Sequence, residues 1–86
     1  MNILFSENAE KELDNMDNSL RKIFIKHIEK ISEIPPRKHM RFGVPFYTED
    51  VTKQARLVCQ MDNLDLTILH CFSTHKEYEK WYKAFK

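Results

Sequence analysis

Glycine is almost missing from this chain of 86 residues: Gly43 is the only one, beside three prolines and two cysteines. So few chain breakers leave no linker, no low-complexity tract and no internal repeat, and residues 1–86 read as one small domain. No run of 18 apolar residues occurs, so no transmembrane helix is expected. Met1 to Ser6 has neither the charged start nor the long apolar core of a secretory leader. The expected location is therefore the cytoplasm, with no membrane partner. Cys59 and Cys71 lie too far apart for a Cys-x-x-Cys knuckle, and His70, Cys71 and His75 match no zinc spacing. Both cysteines read as small buried hydrophobes of a reducing compartment, and no metal or cofactor is expected. Net charge is nearly missing too: 14 Lys and Arg against 13 Asp and Glu give +1, low for a nucleic-acid binder.

What is present points to a globular protein, since 42% of residues are hydrophobic. A domain of this size buries only about 60–65% of its unfolded surface, so its stability is expected to be marginal and a partner can add to it. The charge is unevenly spread. Arg37-Lys38-His39-Met40-Arg41 is a compact basic run, whereas Glu7 to Asp17 is acid-rich. The total does not argue for RNA binding; the local run permits it.

Asn2 to Phe5 is a short apolar strand, and Ser6 is a good N-cap. Ala9, Leu13 and Met16 recur at helical spacing. Asp17-Asn18-Ser19 gives a turn and a new cap. Leu20, Ile23, Phe24, His27, Ile28, Ile31 and Ile34 form a longer apolar stripe, ended by Pro35-Pro36. The two helices form a hairpin whose apolar face needs a sheet as cover. Val44 to Val51 supplies one strand, with Pro45 at an edge. In the next strand, Gln54 to Cys59, the set Ala55, Leu57, Cys59 and Met61 faces the helices, and Arg56, Val58 and Gln60 face away. Asp62-Asn63 turns the chain. Leu64 to Phe72 is the last strand, with Leu64, Leu66, Ile68, His70 and Phe72 on one face and Thr67, Leu69 and Cys71 on the other. After Thr74, a possible N-cap, Tyr78, Trp81, Tyr82 and Phe85 fall on one helical stripe. The predicted class is α+β in the order β-α-α-β-β-β-α, a small antiparallel sheet packed on a helical hairpin with a short C-terminal helix.

An arginine on one strand of a hairpin, and a His/Lys/Tyr cluster where the next strand ends, can converge on one phosphate. Arg56 suits phosphate because guanidinium matches it bidentately and stays charged. His75 suits proton transfer because imidazole titrates near neutrality. Lys76 adds charge beside it, and Tyr47, Tyr78 or Trp81 can stack on single bases. Each also has a plain reading: Arg56 as a solvated strand arginine, His75 as a helix-start histidine, Trp81 and Phe85 as packing. His39 belongs to RNA contact or to a solvated loop. His27 and His70 read as structural.

Three segments resemble the RelE/ParE superfamily of toxin–antitoxin toxins. Lys38-His39-Met40-Arg41-Phe42-Gly43-Val44-Pro45-Phe46-Tyr47 is similar to the basic entry to the sheet of RelE-like and YoeB-like toxins. Ala55-Arg56-Leu57-Val58 resembles their Tyr-Arg-Leu-Val strand, and Thr74-His75-Lys76-Glu77-Tyr78 resembles the Thr-His-x-Glu-Tyr ending of the HigB-like branch. The resemblance implies a metal-independent endoribonuclease that cuts mRNA, typically on the ribosome, and is silenced by a cognate antitoxin. It implies Arg56 as the phosphate-binding residue, His75 as general acid or base, Tyr78 as the group orienting a base or the scissile phosphate, and Lys38 and Arg41 as cationic contacts. Three departures stand out: Ala55 replaces the tyrosine, Pro35-Pro36-Arg37 stands where YoeB-like enzymes carry a catalytic glutamate, and Thr48-Glu49-Asp50 where RelE-like members place lysines. Two alternatives stay open: a ParE-like toxin that binds DNA gyrase without nuclease chemistry, and a degenerate toxin that only binds its antitoxin.

Overall fold

The computed structural model describes residues 2–34, 46–62 and 64–84. The element order is β1 (Asn2–Phe5), α1 (Glu7–Asn15), α2 (Asn18–Glu33), β2 (Tyr47–Asp50), β3 (Arg56–Met61), β4 (Asp65–Phe72) and α3 (His75–Lys83). This is the α+β order that the sequence predicts. The sheet runs β1-β4-β3-β2, and β1 lies parallel to β4 while the other pairs are antiparallel. The sheet is thus mixed rather than wholly antiparallel. The two-helix connection carries the chain across the sheet between β1 and the later strands, and so allows a parallel neighbour.

Local chemistry starts and stops the helices where the sequence suggests. Ser6 Oγ accepts from the Ala9 N–H at 3.0 Å, and Asp17 Oδ1 accepts from the Leu20 N–H at 2.8 Å. Arg21 closes the helical hairpin. Its guanidinium donates to the carbonyls of Leu13, Asp14 and Met16, the exposed end of α1. Between the hairpin and the sheet lies the main core: Ala9, Leu13, Phe24, Ile28, Ile31, Ala55, Leu57, Cys59, Leu66, Ile68 and Cys71. Of the predicted α2 stripe, Ile23 and Ile34 fall outside this core and are 44% and 71% exposed.

The strand faces of β3 are as expected, but those of β4 are not. Val58 pairs with His70 and Cys59 with Ile68, so Leu69 is one residue too many on β4. This bulge resets the alternation. Before it, Leu66 and Ile68 face the hairpin; after it, Cys71 does, and Leu69, His70 and Phe72 turn toward α3. Leu64 stands before the strand and is 72% exposed. Under α3, Val58 and Phe72 form a second, small core with Phe46, Tyr78, Trp81 and Tyr82 packed on it. None of the residues of α3 is itself fully buried.

Where β1 stops, helix α1 takes over the hydrogen bonding of β4. Ser6 Oγ donates to the Leu69 carbonyl at 2.7 Å, and Glu12 Oε1 accepts from the Cys71 N–H at 2.8 Å. The other oxygen of Glu12 accepts from His70 Nδ1 at 3.0 Å, and the His70 ring stacks on Phe72 at 4.9 Å. His70 is thus held between Glu12 and Phe72. Glu12→Ala is expected to leave a half-buried N–H and an imidazole without partners, costing about 1–3 kcal/mol, read as a lower urea midpoint at unchanged slope.

Candidate functional site

Arg56 opens β3 opposite Phe72 on β4, and α3 starts three residues after Phe72. This register brings Arg56 and His75 to one open cleft of about 410 Å³, lined by Lys53, Gln54, Arg56, His75, Lys76 and Glu79. Three cationic side chains and one carboxylate thus line it together with His75.

The β2–β3 connection is built to hold Arg56. Thr52 Oγ1 accepts from the backbone N–H groups of Gln54 at 3.2 Å and Ala55 at 2.9 Å, which folds the turn. Arg56 Nη1 then donates to the carbonyls of Thr52, Lys53 and Ala55 at 2.9, 3.1 and 3.0 Å. Its Nε pairs with Asp50 Oδ1 at 3.0 Å. The Arg56 side chain is only 14% exposed, whereas that of Asp50 is 78% exposed. The guanidinium is thus pinned at Nε and at Nη1, and Nη2 has no hydrogen-bond partner among the described residues. Bidentate phosphate binding through Nε and Nη2 requires Asp50 to swing away, which its exposure permits.

His75 is the first residue of α3. Thr74 caps the helix by accepting from the Glu77 N–H at 3.2 Å, and Glu77 Oε1 accepts from the Ser73 and Thr74 hydroxyls. The positive end of a helix therefore adjoins the cleft and favours an anion there. His75 Nδ1 faces Glu79 Oε1 at 3.0 Å, one turn along the helix.

Of the residues expected from the sequence, Arg56, His75 and Lys76 share the cleft. Tyr78 does not line it. Its ring lies 6.0 Å from that of His75 but stacks on Tyr82 at 5.8 Å and meets Phe72 edge-on at 6.2 Å. Tyr47 lies on the hairpin side of the sheet. It pairs with Cys59, shares its phase and packs against the hairpin core, so the RNA contact expected of it does not form part of this cleft. Lys38, His39 and Arg41 lie outside the described residues, as does Phe85. Sequence reasoning missed Lys53, Gln54, Asp50 and Glu79. Glu79 carried a signal, its i+4 spacing from His75. Asp50 carried none without the register, which sets it directly opposite Arg56.

The cysteines are not part of this chemistry. Burial first, then the Glu49 charge, pushes the Cys59 thiol up to about 12, and burial, Glu12 and Cys59 push Cys71 up to about 12. A thiol held protonated is a poor nucleophile. Neither cysteine is expected to react with an alkylating reagent at neutral pH until the chain unfolds, a difference that mass spectrometry with and without denaturant reads. The sign of the linkage follows: the folded thiols hold their protons more tightly than the unfolded ones. Stability from this source is intact below the ordinary value of 9.0 and falls as pH rises from there toward about 12.

Among the described residues no cluster of His, Cys, Asp and Glu could hold a metal ion, and no helix is long and apolar enough to cross a membrane. No protein-family model matches the sequence, and neither does any curated protein. Solved structures do match. The isolated E. coli RelE toxin aligns over 99% of this chain and 98% of its own at 19% identity, with a TM-score of 0.72. The intact E. coli RelBE toxin–antitoxin complex aligns over 83% of this chain and 93% of the matched chain at 20% identity and 0.73. The YoeB dimer from Staphylococcus aureus aligns over 84% and 94% at 18% identity and 0.71. A mixed four-stranded sheet, a helical hairpin on one face and a short C-terminal helix on the other make the fold of this chain the RelE/YoeB fold.

Proposed function

We propose that this chain is the toxin of a type II toxin–antitoxin pair, and that it cleaves mRNA on the ribosome with its own side chains and no metal. The observation that carries the reading is the shared cleft, where a pinned arginine and Lys53 from the β2–β3 side meet His75 and Lys76 at the start of α3. Cleavage of this kind needs three things. The RNA 2′-oxygen attacks the adjacent phosphorus and gives up its proton to a base. The bond from phosphorus to the 5′-oxygen breaks, and that oxygen gains a proton from an acid. Fixed cations hold the non-bridging oxygens while negative charge builds. Arg56 Nη2, Lys53 and Lys76 serve the third task, and His75 serves proton transfer. Tyr78 acts behind His75, through ring packing. The products are a 2′,3′-cyclic phosphate and a free 5′-hydroxyl.

The fold neighbours include toxins solved with antitoxins, the E. coli RelBE complex and the S. aureus YoeB–YefM complex. By that likeness the partner of this chain is an antitoxin, whose segment crosses the cationic face and excludes RNA by charge matching. The cytoplasm, where mRNA and ribosomes are found, is the compartment this reading requires. One observation favours a second reading, a toxin that binds its antitoxin without cutting RNA: Asp50 and three carbonyls already occupy Arg56 Nε and Nη1.

The test is induced expression without a partner, read as growth together with primer extension on total mRNA. Arrest with mRNA cut inside reading frames is the expected result. Arrest with intact mRNA points to a gyrase-directed toxin. Continued growth with folded protein points to the binding-only chain.

A further inference from the structure

Resting on the nuclease reading of the cleft, we infer that Glu79 is the positioning residue of His75: it fixes which imidazole nitrogen carries the proton and which one meets the RNA. His75 Nδ1 stands 3.0 Å from Glu79 Oε1. The separation is within hydrogen-bond distance, and an ionised carboxylate only accepts, so a hydrogen bond drawn across this pair carries its proton on Nδ1. Nε2 is then the nitrogen left to the cleft that both residues line. On the far side of Glu79, Lys83 Nζ lies 3.9 Å from Oε2 in an exposed pair. His75, Glu79 and Lys83 thus run along one face of α3 at successive i,i+4 positions. The backbone of His75 is fixed by the Thr74 cap, so ring rotation is the main freedom left, and Glu79 restricts it.

The consequence is the same in either direction of proton transfer. As a base, neutral His75 takes the 2′-hydroxyl proton on Nε2 and becomes an imidazolium whose Nδ1–H still faces Glu79. As an acid, the imidazolium gives the Nε2 proton to the departing 5′-oxygen and returns to the Nδ1–H form. Free imidazole side chains favour the Nε2–H form, which turns the wrong nitrogen to the substrate. With both side chains about half exposed, the pair adds little to stability; its effect is on the tautomer and the aim of the ring.

Long-range proton–nitrogen spectra of the full chain, labelled at histidine and recorded with imidazole neutral, read the tautomer directly. The parent is expected to show His75 as Nδ1–H, Glu79→Ala to return it to Nε2–H, and Glu79→Gln, whose amide oxygen can still accept, to keep Nδ1–H. His70, held by Glu12, serves as the unchanged internal reference. A parent already in the Nε2–H form, or a Glu79→Ala chain with no change, overturns the inference. On mRNA bound to ribosomes, Glu79→Ala is expected to lower kcat about 10–100-fold with little change in KM, and Glu79→Gln to recover most of it. Equal rates for parent and Glu79→Ala overturn the catalytic role. A parent that cuts no RNA overturns the nuclease reading instead, and the spectra still decide whether Glu79 sets the ring.

Discussion

Arg56→Ala is expected to lower RNA cleavage by about 10²–10³-fold, the usual cost of removing one preorganised charge from a developing anion. The structure gives a reason to expect the upper part of that range. Arg56 is not a mobile surface arginine. Three carbonyls and Asp50 hold it, and its side chain is only 14% exposed. The carbonyl contacts fix the cation before substrate arrives, and only the exposed Asp50 has to move when phosphate binds. The same contacts mean that Arg56→Ala also loosens the β2–β3 turn, by about 1–3 kcal/mol for hydrogen bonds made by a charged group. Activity and urea midpoint therefore have to be measured on the same preparation. Arg56→Lys separates the two effects, because one ammonium keeps the charge but cannot reach Asp50 and three carbonyls together. The expected result is a folded Lys variant that stays at least 10-fold below the parent, roughly one lost charge-assisted contact. A Lys variant as active as the parent would show that charge alone, without the pinned fork, suffices.

His75→Ala is expected to lower cleavage by about 10²–10⁴-fold, the range for a single acid or base, and to abolish growth arrest on expression. Stability should barely move. The side chain is 42% exposed and its one polar contact is a surface pair, so the change is expected to stay within about 0.5 kcal/mol. Loss of activity with unchanged unfolding is what separates a proton-transfer residue from a helix-start histidine. Growth arrest and cut mRNA in His75→Ala would remove this residue from the mechanism and leave Arg56 and the lysines as a binding surface only.

Much of the fold was legible because apolar spacing and caps are local properties. Ser6, Asp17 and Thr74 each cap the helix that the sequence assigns to them. The Ala55, Leu57 and Cys59 face was legible from period two alone. The last strand was not, because a bulge leaves no mark on alternation until the partner strand is known. Its residues after Leu69 exchange faces, and that exchange is what puts Phe72 and His70 beneath the final helix. The face of Tyr47 was not legible for a related reason: an aromatic near a strand start can face either side, and pairing with Cys59 decides it.

By itself, the sequence determined the element order, the helix starts and the burial of two cysteines set in apolar strands, and it put forward Arg56, His75 and Tyr78 as candidates for the chemistry. All rest on interactions between neighbours along the chain, or on residue type. Tertiary structure decided the rest. It set β1 parallel to β4, brought Arg56 opposite the end of β4, pinned its guanidinium on the turn and gave His75 a shared cleft. Those facts depend on strand register, in which one inserted residue, Leu69, moves every later side chain of the strand to the other face.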